Sequence, residues 1–505
     1  MTLTGPGGRP TVSSEPVVPS FPTVGELAAA VPGVVLFGDP TVRVQEATCD
    51  SRDVVRGSAF FCIAGEAADG HAFASEAVVA GATVLIVDHH LDGIDVPQLV
   101  VPSVRAAAGP LAAEIYRHPA QALTLVGITG TNGKTTSTYL MESVFAAAGI
   151  TPGVVGTTGA RIDGQPIPLS RTTPEAPELQ RLLARMRSAD VRGVALEISS
   201  HALDQHRVDG FAVNAAVFTN LSRDHLDYHG DMARYFEAKA RLFTPAHAVA
   251  GVVNIDDAAG RTLASQASVP ITTVGVEATD ADLVATDVRI DGEGVSFRAG
   301  GLNFRSALRG AFNVSNCLGV VAAASQLGIA DEWIIAGIAA LEGVPGRVEA
   351  VDAGQGFLVV VDYAHTPDSI QTVLRAVRPL IPGKLICVFG CGGDRDRAKR
   401  PLMGAAATGT ADLTVITSDN PRSEDPLEII RQIEAGAPEG GGEFVSEVDR
   451  RAAIRLAVRR ASPGDAVVIA GKGHEPYQEV RGEWIPFDDR AVTRAELLEL
   501  AGERS

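Results

Sequence analysis

The run Gly130-Thr131-Asn132-Gly133-Lys134-Thr135-Thr136 joins a short apolar, β-branched stretch beginning at Leu123 to a stretch of helical periodicity from Lys134 through Ala148. A glycine-rich turn from strand into helix offers backbone N–H groups and a positive helix end to phosphate. The lysine is then placed for β/γ-phosphates and the following hydroxyl for magnesium. These residues predict a nucleoside triphosphate site with Lys134 and Thr135 at its phosphates. The run departs from the strict GxxxxGK[ST] pattern, because Ile128 stands where the first glycine belongs and Gly127 falls one residue early. An ordinary strand-turn-helix is the bland alternative.

Further groups lie where burial would change their chemistry. Glu197 sits inside the apolar run Val194-Ala-Leu-Glu197-Ile-Ser199-Ser200-His201. A carboxylate there is costly unless paired or metal-bound, so Glu197 is a magnesium candidate; a glutamate on an edge strand is the alternative. His225 and His229, in Asn220-Leu-Ser-Arg-Asp224-His225-Leu-Asp227-Tyr-His229, have the i,i+4 spacing of one helix face. Two histidines alone fall short of a zinc site. Lys239 lies amid Met232, Tyr235, Phe236, Leu242 and Phe243, which mark one helical stripe. Desolvation there lowers a lysine pKa, and a neutral amine reacts with carbon dioxide to give a carbamate, an anionic oxygen ligand for magnesium. A lysine that snorkels to water is the alternative. The guanidinium of Arg207 suits a pyrophosphate or a carboxylate through bidentate bonds.

The elements that must hold these groups follow from composition and pattern. A chain of 505 residues has room for about three domains. Hydrophobic residues at 46% and charged ones at 21% describe a globular chain able to bury large cores. A formal net charge of −18 argues against nonspecific binding to nucleic acid or anionic membranes, so no nucleic-acid partner is expected. No signal-peptide core or spanning run is evident, so a cytoplasmic protein without membrane insertion is expected. Cys49, Cys62, Cys317, Cys387 and Cys391 form no CxxC pair and read as reduced thiols.

The predicted fold is α/β in three domains. Residues 1–21 read as a disordered tail, and 22–120 as a small α/β unit in which VVLFG, SAFFCIAG and ATVLIVD alternate with a helix over Ala72–Ala80. Residues 121–343 read as a P-loop ATPase-like parallel-sheet domain; hairpins fill 282–310, a helix runs on to Gln326, and a second ends near Leu341. Asn313 or Asn316 could simply cap the first of these helices. Residues 344–505 read as a Rossmann-like, doubly wound domain on the strands FLVVVDYA, KLICVFGCG, DLTVITSD and DAVVIAGKG, each running into polar residues.

GITGTNGKTT, NLSRDHLDYHG, YAHTPD, GGDRD, DNPR and GKGHE follow in order within roughly residues 45–490. The set resembles the Mur ligase family, the ATP-dependent, ADP-forming amide ligases of peptidoglycan precursor synthesis, and their folylpolyglutamate synthase relatives. The resemblance implies ATP held by Gly130 to Thr136, with Asn316 of the GxxNxxN element near the adenine and Arg347, Asp362 and His365 closing over it. It implies magnesium beside Thr135, Glu197, His225 and a carbamylated Lys239, with Lys134, Glu197, His225 and Lys239 as the catalytic set. Ser51 of the DSR stretch, together with the Gly65–Gly70 loop, matches family contacts to the uridine diphosphate of the substrate, which makes 22–120 the UDP-sugar-binding domain. Thr172, Thr173, Ser199, Gln205 and Arg207 match contacts to the rest of that nucleotide-sugar peptide.

Arg395, then Asp419-Asn420-Pro421-Arg422, then Gly471 and Glu475 match the amino-acid site of those members that add meso-diaminopimelate. Diaminopimelate carries a carboxylate at its far end that lysine lacks; Arg422 can take it in a two-pronged pair, and an unpaired Arg would penalise lysine. Gly471 and Glu475 suit the opposite end. The implied reaction joins meso-diaminopimelate to the D-glutamate γ-carboxylate of UDP-N-acetylmuramoyl-L-Ala-D-Glu through an acyl phosphate. Whether other cell-wall enzymes dock as partners is left open. A folylpolyglutamate synthase and a nucleotide-binding regulator without ligase activity are the competing readings.

Overall fold

The computed structural model describes residues 21–65 and 68–504, so the expected tail, except Phe21, and the Glu66–Ala67 pair lie outside the described residues. The chain forms two compact units, Met1–Arg117 and His118–Ser505.

In the first unit a five-stranded sheet runs in the order Val35–Phe37, Gln98–Val100, Ala82–Val87, Ser58–Phe61, Glu46–Thr48. All neighbours are parallel except the first pair. Ser58–Phe61 is buried at every position, the mark of a strand covered on both faces. The helix expected over Ala72–Ala80 is shorter, Ala74–Ala80, because Asp69 accepts from the His71 N–H and winds Gly70–Phe73 into a 3₁₀ turn first. Glu46–Thr48 and Gln98–Val100 were not anticipated; three-residue strands carry too little pattern.

The second unit holds the candidate site residues outside the DSR stretch and the Gly65–Gly70 loop. Its largest sheet has nine strands in the order Leu283–Val284, Ile271–Gly275, Ala248–Asn254, Val213–Phe218, Thr124–Thr129, Gly193–Glu197, Pro152–Gly156, Gly159–Ile162, Gln165–Ile167. The first seven are parallel, and the last two add an antiparallel edge. The chain leaves Thr124–Thr129, skips a place to Pro152–Gly156, fills the gap with Gly193–Glu197, then crosses to Val213–Phe218 on the other side. Ligands gather at the carboxyl ends of strands where order reverses in this way. Helices Lys134–Ala147 and Phe312–Gln326 pack a Val, Leu and Ala core onto the strands. The hairpins expected over 282–310 are a three-stranded antiparallel sheet, Thr286–Asp291, Gly294–Ala299 and Leu302–Ser306.

A six-stranded sheet follows, in the order Glu349–Ala350, Leu358–Asp362, Ala466–Ala470, Leu385–Phe389, Leu413–Ile416, Glu443–Ser446, parallel except for its first pair. Its four inner strands are the four apolar runs read from sequence, whereas both edge strands were missed. Ala466–Ala470 slots between the first two of these runs, a second reversal of strand order. Arg450 and Asp489, both fully buried, pair through two bonds of 2.8 and 2.7 Å. Arg450 also donates to the carbonyls of Ser418 and Ala470, which ties two strand ends together. Tyr477–Val480 and Glu483–Pro486 form a separate hairpin.

Candidate active site

The strand Thr124–Thr129 delivers the glycine-rich loop to the first reversal point. Thr131 N–H donates to the Asn220 carbonyl (2.9 Å), Asn132 N–H to Asn220 Oδ1 (2.9 Å), and Thr219 Oγ1 to the Asn132 carbonyl (2.6 Å). The end of the neighbouring strand thus sets the loop's shape. Gly130 and Gly133 both have positive φ, 145° and 87°. A Cβ on Gly133 would stand 2.3 Å from Asn316 Oδ1, so the loop and the Phe312–Gln326 helix meet where only glycine fits.

Around this loop lies a cleft of about 540 Å³ lined by Thr131 to Ser137, Thr157, Thr172, Glu197, Ser199, Asp224, His225, Asn316, Arg347, Asp362 and His365, among others. Lys134 Nζ donates to the carbonyls of Gly130 (2.8 Å) and Thr131 (2.9 Å). Lys239, 1% exposed, donates to the same Gly130 carbonyl at 2.9 Å and lies over the Tyr235 ring. Burial, reinforced by the Lys134 ammonium, holds Lys239 well below the ordinary lysine range; burial also lowers Lys134, against the pull of Glu197. Glu197, 1% exposed at its strand's carboxyl end, accepts from Thr157 N–H and Oγ1, both at 2.9 Å.

His225 is pushed down to about 3, chiefly by burial. Its neighbour Asp224 lies 3.7 Å from His365 Nε2 and 3.9 Å from Lys399 Nζ. Burial works against its charge, yet His365, His225 and Lys399 together keep its carboxyl well below the usual range.

The carboxyl-terminal segment reaches this cleft through named bonds. Arg347 Nη2 donates to Thr135 Oγ1 (2.9 Å), Asp368 Oδ2 accepts from Asn132 Nδ2 (3.3 Å), and His474 Nε2 lies 3.3 Å from the Thr157 carbonyl. Asp362 faces the Val348 and Ala364 N–H groups (2.7 and 2.8 Å), while burial raises its pKa. The substrate-side residues form one network. Thr172 Oγ1 is 3.2 Å from Thr157 Oγ1; Thr173 Oγ1 donates to the Glu197 carbonyl (2.8 Å) and accepts from Ser199 N–H (3.1 Å). Arg207 donates to the Thr173 carbonyl (3.0 Å) and Gln205 Oε1 (2.6 Å) and pairs with Glu175 (3.1 Å).

At the second reversal point, the loops after Leu385–Phe389, Leu413–Ile416 and Ala466–Ala470 converge. Arg422, with φ +50°, donates from Nε to Glu479 Oε2 (3.1 Å) and from Nη1 to the Gly393 carbonyl (2.8 Å). Asn420 donates to Glu475 Oε2 (2.8 Å) and accepts from the buried Lys472 (3.1 Å). Gly471, at φ +114°, leaves room for Asp419 Oδ2, which would sit 2.5 Å from a Cβ. A Cβ on Gly393 would run into the Pro421 carbonyl at 1.9 Å. Arg400, with no exposed surface, grips Glu424 through bonds of 3.0 and 2.8 Å and Gly392 at 3.1 Å, which locks the Gly392–Asp396 loop to the Asp419–Arg422 loop. Arg395 is exposed and donates to the Asp394 carbonyl.

Three family models match the chain: the Mur ligase family catalytic domain over residues 43–116, the Mur ligase middle domain over 128–324, and the Mur ligase glutamate ligase domain over 346–473. The chain belongs to the Mur ligase family. The UDP-N-acetylmuramoyl-L-alanyl-D-glutamate–2,6-diaminopimelate ligase of Streptomyces avermitilis is 45% identical over 516 residues, covering 99% of this chain and 100% of that protein. The ligase of the same name from Synechococcus elongatus is 46% identical over 465 residues, covering 89% of this chain and 93% of that one. A solved structure of a ligase of that name has 34% identity and a TM-score of 0.66, covering 95% of this chain and 99% of its own.

In this Mur ligase the cleft gathers all the residues expected at ATP and magnesium except Gly130 and Lys239, which meet each other just beneath it. Ser51 belongs to the first unit, where it opens a 3₁₀ turn capped by Asp50. His225, at φ +54°, caps the short helix Leu226–His229, and the His229 N–H donates to the His225 carbonyl at 3.0 Å; both rings pack against His201, with centroids 4.9 and 5.4 Å away, and His229 also meets Ser200 Oγ at 2.9 Å. One expectation needs correction. Met232 is exposed and drops out of the stripe around Lys239, because it opens the helix Met232–Ala240 at its solvent end. Thr157, Asp224, Lys472 and Glu479 escaped the sequence reading. Asp224 carried a signal, as an acid beside His225 at a strand end, and so did Lys472, as the lysine of GKGHE.

Proposed function

We propose that this chain is an ATP-dependent, ADP-forming ligase that adds meso-diaminopimelate to the γ-carboxylate of the D-glutamate in UDP-N-acetylmuramoyl-L-Ala-D-Glu. The observation that carries the reading is similarity to ligases of that name along almost the whole of both chains. In this reading residues 22–120 hold the uridine end, 121–343 the ATP and 344–505 the amino acid.

A γ-carboxylate oxygen attacks the γ-phosphorus and the bond to the β-phosphate oxygen breaks, which releases ADP and leaves an acyl phosphate. The neutral diaminopimelate amine then attacks the acyl carbon. The tetrahedral adduct expels phosphate, and the amine's proton goes to solvent. No covalent bond to protein forms, so the chain acts by position and charge. The Gly130–Thr136 amides and Lys134 cradle the phosphates. For this, Lys134 must leave the Gly130 and Thr131 carbonyls. Thr172, Thr173 and Ser199 hold the acceptor beside Glu197, and Arg347 spans from the other sheet.

Bound magnesium supplies neutralisation of the phosphate charge. Thr135, Glu197, His225 and carbamylated Lys239 would hold it, and the donor set suits a cation: His225 is kept neutral by burial, and the depressed Lys239 amine is poised to attack carbon dioxide, forming the N–C bond as a proton leaves.

The test is phosphate release from ATP with the UDP-linked dipeptide, comparing meso-diaminopimelate with L-lysine. Turnover with diaminopimelate alone is expected. A preference for lysine would overturn the role of Arg422, and turnover with neither would overturn the ligase assignment.

A further inference from the structure

In the first unit, His71, Asp88 and His89 turn their ligand atoms toward one another. His71 Nε2 and His89 Nδ1 lie 3.2 and 2.5 Å from the same atom, Asp88 Oδ1, and the two rings stack with centroids 4.9 Å apart. One nitrogen or oxygen ligand atom from each residue falls within 4.8 Å of the other two; among the described residues no other group of His, Cys, Asp or Glu side chains gathers in this way. Two segments bring them together. Asp88 and His89 follow the strand Ala82–Val87 at its carboxyl end, and His71 sits in the 3₁₀ turn Gly70–Phe73. The Gly70 N–H donates to the Ile63 carbonyl (3.0 Å), and a Cβ on Gly70 would come within 2.7 Å of the Ile63 nitrogen, so close backbone packing fixes where His71 starts.

The His71 ring is oriented as a metal ligand needs to be. Its Nδ1 donates to Asp69 Oδ1 at 2.7 Å, and the same oxygen accepts the His71 backbone N–H at 3.0 Å. Nε2 is left with its lone pair, and it faces Asp88, whose backbone N–H donates to it at 3.4 Å. A carboxylate on the far nitrogen sets the tautomer of a ligating histidine and raises its basicity. The His71 side chain is 8% exposed, while Asp88 and His89 are 46% and 63% exposed, so the set joins a fixed inner ligand to an open path from solvent. Two imidazole nitrogens and a carboxylate suit zinc and its neighbours late in the first transition series, whereas magnesium takes oxygen. Ligands that share a tetrahedral zinc ion lie roughly 3.3 Å apart. His71 and Asp88 already have that spacing, and rotation of the exposed His89 side chain opens its own, the ion taking the place of the proton between His89 and Asp88. Water completes the shell.

We propose that His71, Asp88 and His89 form a site for a zinc-class divalent ion, oriented by Asp69, which fastens the end of the Ala82–Val87 strand to the Gly70–Phe73 turn. None of these residues belongs to the magnesium set of the cleft. The test is calorimetric titration of the full-length protein, freed of metal by a chelator, with zinc chloride in a large excess of magnesium chloride. The wild type should take up a zinc ion that magnesium does not displace, and cobalt(II) in its place should show the visible absorption of a nitrogen-ligated ion. His89→Ala removes a solvent-exposed ligand and should weaken zinc binding by at least about tenfold, and Asp69→Asn, which touches no ion, by about tenfold through the freed His71 ring. His90→Ala should leave it unchanged, because the His90 ring packs on Phe37 at 4.6 Å and lies outside the set. Thermal unfolding of each variant checks that it folds. No zinc uptake in excess magnesium overturns the proposal, as does uptake that His89→Ala leaves unaltered. An equal loss in His90→Ala would mean diffuse binding by surface histidines and overturns it too, and full affinity in a folded Asp69→Asn overturns the orienting part given to Asp69.

Discussion

Lys134 and Lys239 share one acceptor, the Gly130 carbonyl, and their fates diverge when that acceptor is contested. Lys134 heads its helix at the edge of the cleft and has two carbonyls to leave for phosphate, so Lys134→Ala should abolish phosphate release while the protein still unfolds at a normal temperature; near-normal turnover would sink the phosphate-loop assignment. Lys239 has nowhere to go. Nine residues of helix and the Tyr235 ring enclose it, and burial drives it toward the neutral amine. If its working form is the carbamate, Lys239→Ala should lose activity by several orders of magnitude, and small carboxylates such as formate or acetate should restore part of it by occupying the space the carbamate leaves. Activity in the alanine variant that is already high, or a loss that no carboxylate relieves at any concentration the fold tolerates, would show the lysine acting as an amine. The sequence made this residue visible through the apolar spacing of Tyr235, Phe236, Leu242 and Phe243 around it, and the family resemblance is what turned a snorkelling lysine into a carbamate candidate.

At the scale of elements, the strand-loop-helix unit was the most legible part of the molecule. A β-branched run, a glycine turn and a helical period occur within one short segment, so local pattern alone sets Thr124–Thr129 and Lys134–Ala147. The six-stranded sheet was legible at its inner strands for a like reason: Leu358–Asp362 and Ala466–Ala470 are buried almost throughout and read as unbroken apolar runs. Its edges were not, since Glu349–Ala350 and Glu443–Ser446 are short and largely exposed. The requirement for glycine at position 133 was half legible. The turn signals it, whereas the reason it cannot change is Asn316, far along the chain, whose Oδ1 would lie 2.3 Å from an alanine Cβ. Gly133→Ala pays twice, in positive φ and in that collision. It should weaken binding of a fluorescent ATP analogue by about tenfold or more while leaving the far-ultraviolet spectrum unchanged. Unaltered nucleotide affinity would mean that the loop and the Phe312–Gln326 helix can part freely.

Across the whole molecule, what the sequence could not disclose are contacts between segments more than a hundred residues apart: Arg347 to Thr135, His474 to Thr157, His365 and Lys399 to Asp224. His365 and His474 follow strands, Lys399 opens a helix and Arg347 precedes an edge strand; the family resemblance placed Arg347 and His365 near the nucleotide, but only the fold names the partner of each. These junctions also predict how stability depends on pH. Burial first, and neighbouring cations after it, depress His201 and His474 from 6.5 to about 4, and His225 to about 3. Their folded pKa values lie below the unfolded one, so the unfolded chain binds more protons in the interval and stability rises with pH. The contribution is complete above about pH 6.5 and is lost as pH falls through 6.5 toward 4. Chemical denaturation between pH 8 and 5 should therefore show a midpoint that falls more steeply below about pH 6.5, where these histidines add up to about three protons to the uptake on unfolding; above neutrality the depressed Lys239 still makes stability rise with pH. His474→Gln should remove about one proton from that uptake. It should also loosen the Thr157 junction, so its midpoint at pH 8 starts lower while its acid slope is shallower. A variant with the wild-type slope would show that His474 is charged or solvated in the native protein, and the junction at Thr157 would then have to form through another group.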